Sequence, residues 1–369
     1  MRHWIGRRRT FSRVTREIVV KTYLRNYELT FKDVLNAYYK WTKSRSGHKN
    51  GNIVNENYGN GHNLCVDIYR QIKDRSLSFI PIRYYERTEP NNGKVRLIGV
   101  QSIKQQVCDY LIVHMLQDML NAKLGYYQCA SVPNKGQVFA MKHLSKWYDE
   151  GGYFVKLDVR KCYPSIDQSV LLNFLKKHIG CEDLLYVCES ILATYEGGLN
   201  IGSYFSQYMA NLVLSIAYHH VETLYKVRRG VRKNLVTHQL WYMDDCIMFS
   251  KSKHDLAIAA KDVERFMRDF LHLELKPWKI CKCGFDDLDM VGYVMRSNTV
   301  RLRKSTWRRA RRAFSRYSRA PCLRRAFRLI SYWGFLKWTD GAFNTNNSKL
   351  FIEARKMISV RSVQCITRA

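Results

Sequence analysis

Two kinds of apolar spacing divide the middle of the chain into predicted strands and helices. The run from 153 to 157 is strand-like and ends on Asp158, and Pro164 and Ser165 interrupt it shortly afterwards. Helical spacing then begins, with one apolar face made of Val170, Leu171, Phe174 and Leu175. The pattern therefore predicts a strand and then a helix, with Asp158 at the strand end, where its side chain can project into a cleft.

A second strand-like stretch, from 240 to 249, has apolar residues on both sides of two adjacent carboxylates, Asp244 and Asp245. Short apolar runs that flank a polar pair predict a β-hairpin with the two acids at its turn. A solvated acidic turn is the alternative that this short motif leaves open by itself.

The pattern before residue 150 predicts mostly helices. Apolar contacts at helical spacing favour helices over 17–45, near 65–73 and over 102–120, whereas 79–100 is typical of two strands around a turn. The stretch 44–62 is rich in Gly, Asn and Ser, and we interpret it as a flexible loop.

Two amphipathic helices are predicted near the C-terminal end. The first presents an apolar stripe made of Trp307, Ala310, Phe314 and Tyr317. The second follows Pro321, and its inward-facing residues are predicted to be Leu323, Phe327 and Ile330. The stripe is expected to pack in a core, while the arginines of the first helix fall elsewhere around it: Arg308, Arg309, Arg311 and Arg312.

The charge of the chain points to a polyanionic partner. Lys and Arg number 62 against 31 Asp and Glu, so the formal net charge is +31 over 369 residues. The positive charge is segregated, since residues 1–16 carry six arginines and no acid, and residues 290–339 carry 14 Lys or Arg and no acid. Such segregation is typical of a nucleic-acid-binding surface rather than of a merely soluble basic protein.

Composition also bears on the compartment. No apolar run approaches the roughly 18 residues of a membrane span, and the N-terminus shows no apolar signal segment. We therefore expect a cytoplasmic protein with no membrane partner. The 11 cysteines lack a disulfide framework spacing, so free thiols are expected. Cys281 and Cys283 are interpreted as an ordinary pair, because no second half of a zinc site is evident.

Asp158, Asp244 and Asp245 form a candidate catalytic and metal site. Carboxylates in apolar surroundings are costly unless a cation holds them, and Mg²⁺ prefers oxygen ligands. Two-metal catalysis of phosphoryl transfer uses carboxylates from separate strands that converge on two cations. Asp167 is the weaker candidate, because a helix N-cap just before Gln168 explains it.

The order and spacing of these residues resemble the palm of a reverse transcriptase. Asp158 is followed five residues later by the aromatic Tyr163, and Tyr-Met-Asp-Asp occupies 242–245. Four further blocks resemble family motifs in the same order along the chain: 93–98, 198–212, 273–279 and 290–293. The resemblance extends over about residues 80 to 300, and several ordered blocks make it more specific than the tetrapeptide alone.

The resemblance implies roles for further residues. Two Mg²⁺ ions, for which Mn²⁺ can substitute, would be held by the three aspartates. The incoming dNTP would be contacted by a set of residues from several blocks: Lys94, Arg96, Tyr163, Ile201, Gly202, Gln207 and Lys279. Within this set, the ring of Tyr163 would exclude a ribose 2′-hydroxyl, and Lys279 would donate a proton to pyrophosphate, a role for which Lys276 competes. Block 290–293 is similar to the hairpin that holds the primer.

The resemblance also implies an α+β, right-hand polymerase fold. Its expected parts are an N-terminal basic arm and helices (1–75), fingers (76–150), a palm of antiparallel sheet plus helices (151–300), and a basic helical thumb (301–369). The thumb arginines would bind nucleic acid. Expected partners are a structured template RNA, the RNA–DNA hybrid and dNTPs, with an accessory protein or a homo-oligomer as further possibilities.

The expected function is an RNA-directed DNA polymerase that copies a structured, companion noncoding RNA. Ile201-Gly202 stands where a glutamine usually precedes the glycine, and Ser206-Gln207 stands where Ser-Pro is usual. This resembles the error-prone enzymes of diversity-generating retroelements, although Cys129 to Ser131 fits them less well. Antiphage-defence reverse transcriptases are the rival subgroup. An RNA-binding splicing or packaging factor on the same scaffold is the alternative from another class.

Overall fold

The computed structural model describes residues 21–89, 93–340 and 345–366. The expected basic arm at 1–16 lies outside the described residues. The helices are α1 Phe31–Thr42, α2 Arg45–Tyr58, α3 Gly61–Lys73, α4 Ile103–Met115, α5 Gln117–Lys123, α6 Gln137–Asp149, α7 Cys162–Ser165, α8 Gln168–His178, α9 Glu182–Leu192, α10 Tyr204–Glu222, α11 Lys253–Leu271, α12 Lys304–Arg319, α13 Leu323–Leu336 and α14 Thr345–Ile366. The strands are β1 Arg83–Thr88, β2 Val95–Val100, β3 Tyr153–Asp158, β4 Tyr225–Arg228, β5 Val231–Asn234, β6 His238–Tyr242, β7 Asp245–Ser250, β8 Ile280–Lys282, β9 Leu288–Met290, β10 Tyr293–Arg296 and β11 Thr299–Leu302.

A four-stranded antiparallel sheet forms the centre of the fold, in the order β6-β7-β3-β8. Alternate residues of its strands enter two different hydrophobic cores. Val155 and Leu157 of β3 join the core that contains α10 and α11. Phe154, on the opposite face, joins the core that contains α6, β10 and the C-terminal helices. Because both faces are covered, the strands are largely apolar, with Lys156 and Gln239 as polar residues inside β3 and β6.

Two smaller antiparallel units flank this sheet. The β1–β2 hairpin pairs in register from Arg83 with Val100 to Thr88 with Val95, as the alternation over 79–100 predicted. The second unit is a three-stranded sheet in the order β11-β10-β9, and it contains the predicted hairpin at 290–293. The mixture of a central antiparallel sheet with covering helices confirms the α+β polymerase fold class.

The N-terminal predictions were partly wrong. Within the described part of 17–45, which begins at residue 21, the expected helix starts only at Phe31 with α1. Leu24 and Asn26 have positive φ values of 52° and 55°, which a right-handed helix does not accommodate. The expected flexible loop at 44–62 is mostly helix α2. Ser44 caps α2 by accepting a hydrogen bond from the backbone N–H of Gly47, and Val54 is fully buried. One cap and one buried contact outweigh the loop-like composition.

The C-terminal helices bury a narrower set of residues than predicted. The stripe on α12 is confirmed, with Ala310, Phe314 and Tyr317 buried. On α13, however, Phe327 is 58% exposed, so its predicted inward orientation was wrong. Ala326 and Leu329 are fully buried instead, because α13 turns this neighbouring row toward α12 and α14.

The structure also bears on membrane-spanning helices and on the state of the cysteines. Within the described ranges, no helix is both long and apolar enough to cross a membrane. The cysteines whose side chains the structure describes are all free thiols, as the sequence predicted, and most of them are buried.

The orientation of α13 generates a stability prediction. We expect Leu329→Ala to lower the free energy of unfolding by about 2–5 kcal/mol, because it empties a fully buried site. Phe327→Ala removes an even larger side chain from a mostly exposed position, so it should cost about 0.5 kcal/mol or less. Denaturant unfolding followed by tryptophan fluorescence measures both, and equal losses would contradict the observed orientation of the helix.

Candidate active site

The pairing of β3 with β7 brings the predicted carboxylates together. Asp158 at the end of β3 lies directly opposite Asp245, the first residue of β7. Directly paired residues share one face of a sheet, so their side chains are neighbours. Asp244 occupies the turn just before β7, and its carbonyl accepts a hydrogen bond of 3.2 Å from the N–H of Val159. The hairpin turn predicted from 240–249 is therefore confirmed, with the acids at one end of the central sheet.

Two lysines offset the charge of this carboxylate pair. Lys276 Nζ lies 2.7 Å from Asp158 Oδ2, and Lys156 Nζ lies 3.0 Å from Asp245 Oδ1. Lys276 is positioned by its backbone, because its N–H donates to the carbonyl of Asp158 at 2.8 Å. Lys156 precedes Asp158 by two residues on β3 and so shares its face. No sequence pattern pointed to Lys156, because its partner Asp245 lies on another strand.

The surroundings of Asp244 raise the pKa of its carboxyl group. Burial raises its pKa above the ordinary value, and the negative charges of Asp245 and Asp158 raise it further, while Arg96 acts in the opposite direction. A carboxyl under these conditions gains most from an added cation, because the cation compensates both burial and repulsion.

The donor set fits a divalent cation. Asp158 Oδ1 is buried and has no hydrogen-bond partner among the described residues, while its other oxygen binds Lys276. A buried carboxylate oxygen without a partner is an available ligand for a hard metal ion. In the described part of the chain, no three acidic, histidine or cysteine side chains are already arranged as a complete metal cage. One oxygen of Asp158 and one oxygen of Asp245 are instead engaged in ion pairs with lysines.

A cavity of about 410 Å³ opens beside Asp244. The β1–β2 hairpin contributes Lys94 and Arg96, and the central part of the chain contributes Tyr163, Ile201 and Lys276. The structure thus brings together one candidate catalytic acid and four of the seven predicted dNTP-binding residues, which come from separate regions of the sequence.

The backbone from 198 to 202 packs closely against two other backbone segments beside this cavity, at Pro164 and at Gly99. A Cβ on Gly198 would lie 2.3 Å from the carbonyl oxygen of Pro164, and a Cβ on Gly202 would lie 2.7 Å from that of Gly99. The carbonyl of Ile201 accepts a hydrogen bond of 3.0 Å from the N–H of Gly99. Both glycines have positive φ, so close approach and backbone conformation each favour glycine. Gly202 therefore shapes the cavity through its backbone and does not line it.

Two lining side chains have partners that the sequence did not reveal. Arg96 forms an ion pair with Glu89 across the β1–β2 hairpin, so any anion that Arg96 binds must compete with that carboxylate. The ring of Tyr163 is half-buried and its hydroxyl lies 3.9 Å from the sulfur of Met243, in the turn beside Asp244. Burial raises the pKa of Tyr163, so its hydroxyl stays protonated near neutral pH.

Two predicted residues lie away from the cavity. Gln207, on α10, accepts a hydrogen bond of 3.3 Å from the hydroxyl of Ser131 in a different loop. Lys279 is exposed and does not line the cavity, whereas Lys276 does. Of the two lysines that competed for one role, the structure places Lys276 next to an acid.

Asp167 has the structural role that the sequence favoured. Its side chain caps α8 by accepting from the N–H and hydroxyl of Ser169, both at 2.7 Å, and it also contacts His272. These hydrogen bonds lower its pKa to about 2. Asp167 is therefore a helix cap rather than a fourth member of the site.

The predicted nucleic-acid-binding arginines lie on α12. Arg308, Arg311 and Arg312 are exposed and line a shallow groove with Arg316 and Arg319. Arg309 is partly buried, and its Nε donates to the carbonyl of Ser305 at 3.2 Å. Three of the four are thus available to contact phosphates.

A fully buried carboxylate, Asp109, was missed by the sequence analysis. This residue of α4 accepts hydrogen bonds from the Ser203 hydroxyl at 2.7 Å, the Phe205 N–H at 3.2 Å and Gln101 Nε2 at 3.3 Å. It therefore ties the end of β2 to the start of α10, next to Ile201. Its spacing on α4 resembles that of an ordinary polar residue, because the groups that donate hydrogen bonds to it come from other segments of the chain.

Comparisons with known proteins find similarity in the region of the chain that contains the three aspartates. Residues 87–295 match the family described as "Reverse transcriptase (RNA-dependent DNA polymerase)". The telomerase reverse transcriptase of Tetrahymena thermophila is 34% identical over 122 residues, which cover 31% of this chain and 10% of that protein. A Saccharomyces cerevisiae protein named for COX1/OXI3 intron 2 is 26% identical over 120 residues, which cover 32% of this chain and 14% of that protein. The chain therefore aligns with only a small part of either relative, and the family match includes all three aspartates but ends before α12.

The buried position of Asp109 generates a prediction about pH. Burial raises its pKa from 3.8 to about 7, so in that range the folded protein binds a proton that the unfolded chain releases. Its contribution to stability is complete below about pH 4 and is lost as the pH rises through 7. We expect the free energy of unfolding of the wild type, minus that of Asp109→Asn, to fall by about 1.4 kcal/mol per pH unit in this window.

Denaturant titrations of both proteins between pH 4 and 8 measure this difference. Asp167→Asn is the matched control, because that carboxylate is already ionised above about pH 2 in the folded state. A difference that is flat for Asp109→Asn would show that the Asp109 carboxyl is ionised throughout.

Proposed function

We propose that this chain, which belongs to the reverse transcriptase family by a match to more than half of its 369 residues, synthesises DNA on an RNA template. The observation that carries the proposal is the in-register pair of Asp158 and Asp245, with Asp244 at the edge of a cavity that Arg96 and Tyr163 also line. Phosphoryl transfer depends on positioning and charge stabilisation, and this arrangement supplies both.

The three aspartates would hold two Mg²⁺ ions, or Mn²⁺ in their place. When bound, these ions lower the pKa of an attacking hydroxyl and neutralise the charge of the triphosphate and the leaving group. Asp158 Oδ1 is the oxygen best placed to become a ligand, because it is buried without a partner among the described residues. Lys276 and Lys156 offset the repulsion between the carboxylates, and each would yield its carboxylate oxygen to a cation.

The cavity would receive the dNTP. Arg96 and Lys94 face it from the β1–β2 hairpin, and a triphosphate would draw Arg96 away from Glu89, because a guanidinium matches phosphate oxygens bidentately. Lys276 lines the cavity and lies beside Asp158, so its ammonium group could donate a proton to pyrophosphate. This position supports Lys276 over Lys279 for that role. The ring of Tyr163 would occupy the space that a ribose 2′-hydroxyl needs.

The basic surfaces would bind the template RNA and the RNA–DNA hybrid. The exposed arginines of α12 lie in a stretch of sequence without acidic residues, which favours binding of a phosphate backbone. On this proposal 76–150 acts as fingers, 151–300 as palm and 301–369 as thumb. The template is proposed to be a structured companion RNA in the cytoplasm.

Error-prone copying, as in a diversity-generating retroelement, is the finer part of the proposal. It is supported by Ile201, which lines the cavity with an apolar side chain where a hydrogen-bonding side chain would help to fix the nucleotide. A site that hydrogen-bonds its substrate discriminates better than an apolar one, since a wrong substrate leaves polar groups unpaired.

The carboxylate site is tested with Asp158→Asn. We expect primer extension with Mg²⁺ and dNTPs to fall by at least about a hundredfold, because a ligand and its charge are lost where the transition state needs them. RNA affinity should be unchanged, because the arginines of α12 are separate residues. Rates are measured on an oligo(dT)-primed poly(rA) template, with binding measured on the same nucleic acid.

Asp167→Asn is the matched control, because it removes a carboxylate of the same kind but leaves an asparagine, which also caps helices well. It should extend primers at the wild-type rate. Extension by Asp158→Asn within tenfold of this control would refute the assignment of the site.

The finer proposal is tested with Ile201→Gln. One additional hydrogen bond in the transition state, worth about 1.4 kcal/mol, should reduce copying errors by about tenfold. Sequencing the cDNA that each protein makes from one RNA template measures the error rate at every base. Ile201→Leu is the control, because it keeps an apolar side chain of similar size and should leave accuracy unchanged. Equal error rates in Ile201→Gln and wild type, at adenines as at other bases, would remove the support for the error-prone subgroup.

A further inference from the structure

A separate basic hairpin, β4–β5, stands outside the site described above. It connects the end of α10 to the start of β6, and its two strands pair only with each other among the described strands. The residues from 225 to 234 include five basic side chains and no acid: Lys226, Arg228, Arg229, Arg232 and Lys233. The hairpin is therefore a compact source of positive charge with two open edges.

The base of the hairpin is anchored firmly. Lys226 Nζ contacts both carboxylate oxygens of Asp255 at 2.6 Å, and the Asp255 side chain is only 4% exposed. The N–H of Leu235 donates to the carbonyl of Leu224 at 3.0 Å, which closes the two strands at their root. Leu235 and Val236 are buried immediately afterwards. One lysine is thus structural, and the other four basic residues are not needed to attach the hairpin.

The rest of the hairpin faces solvent. Val227 and Val231 are 65% and 67% exposed, and Tyr225 is 48% exposed. The guanidinium of Arg232 lies over the ring of Tyr225, 3.8 Å from its centroid. This stacked pair presents an aromatic ring and a planar cation together, a combination that suits nucleobases and phosphates.

The charges of the hairpin are unfavourable in isolation. Lys226 lies directly opposite Lys233 in the register, and like charges in that position repel. A two-stranded hairpin is also only marginally stable by itself. Open edges lined by cations resist pairing with a second copy of the chain, which argues against dimerisation through β4 or β5. A polyanion relieves the repulsion and covers the exposed apolar side chains.

The position of the hairpin separates it from the reaction. It joins the beginning of β6, whereas Asp244 follows the end of β6, and five strand residues span roughly 17 Å. A strand of this length places the hairpin at the opposite end of the central sheet from the acids. An RNA segment bound there lies beyond the nucleotide that is being copied.

We propose that the β4–β5 hairpin is a second RNA-binding site, which binds a structured part of the template RNA away from the cavity. Arg228, Arg229, Arg232 and Lys233 bind phosphates, and Tyr225 stacks on a base. The inference rests on the proposed function in one respect only, namely that RNA is the template. The hairpin then selects RNA with structure beyond the copied strand, because a short primer–template duplex does not reach it.

The test replaces Arg228, Arg229, Arg232 and Lys233 with glutamine and leaves Lys226 in place. The matched control removes four exposed lysines from α1, the α1–α2 junction, α2 and α8 in the same way: Lys32, Lys43, Lys49 and Lys177. The structured probe is tRNA, titrated at several salt concentrations, and primer extension on oligo(dT)-primed poly(rA) is measured in parallel. Thermal unfolding checks that both variants are folded.

We expect the hairpin variant to bind tRNA at least about tenfold more weakly at physiological salt, with a log–log salt slope smaller by roughly three. Its primer extension should stay at the wild-type rate, and the lysine control should change neither measurement. Tyr225→Ala should weaken tRNA binding without changing the salt slope, whereas Tyr225→Phe should bind as the wild type does.

Three results would overturn the inference. The first is an unchanged salt slope in the hairpin variant, and the second is an equal loss of tRNA binding in the lysine control. The third is a hairpin variant that binds tRNA normally but binds polyglutamate, an acidic polypeptide probe, more weakly than the wild type does. The last result would assign the hairpin to an acidic protein. A wild type that binds tRNA through the hairpin but extends no primer would count against the proposed function alone, so the two failures are distinguishable.

Discussion

Repulsion among three carboxylates at one end of the central sheet is the constraint on which the site depends. The register of β3 against β7 forces Asp158 and Asp245 into direct opposition, and Asp244 adds a third negative charge. Lys156 and Lys276 offset two of these charges from the same sheet face and from a neighbouring loop. Lysines therefore offset two of the three charges, and one oxygen of Asp158, which has no partner among the described residues, is available to a cation.

The walls of the cavity also depend on a buried carboxyl group. Asp109 connects β2 with the start of α10, and the glycines at 99 and 202 allow the two backbones to approach closely enough to pair. Because Ile201 lies inside this junction, its place in the cavity is set by backbone hydrogen bonds and not by its own side chain. The proposed nucleotide site joins two parts of the chain and thus depends on groups that do not line the cavity.

Apart from Lys156 and Lys276, which pair with the acids, positive charge is concentrated on the α12 arginines and the β4–β5 hairpin. These two elements are separate, and neither contains an acidic residue. Arg96, by contrast, lines the cavity and is paired with Glu89. On the proposed function, the surface cations would bind a long polyanion, whereas Arg96 would exchange Glu89 for an anionic ligand.

The sequence by itself determined the β3 strand, the hairpin with Asp244 and Asp245 at its turn, and the apolar stripe of α12, because each depends on a short-range period. Composition misled at 44–62, where Ser44 and Val54 produced helix α2. Only the tertiary structure decided that Lys276 and not Lys279 approaches Asp158, that Arg96 meets Glu89, and that Asp109 is buried. Those facts depend on contacts between residues far apart along the chain, and periodicity carries no information about which distant groups will meet.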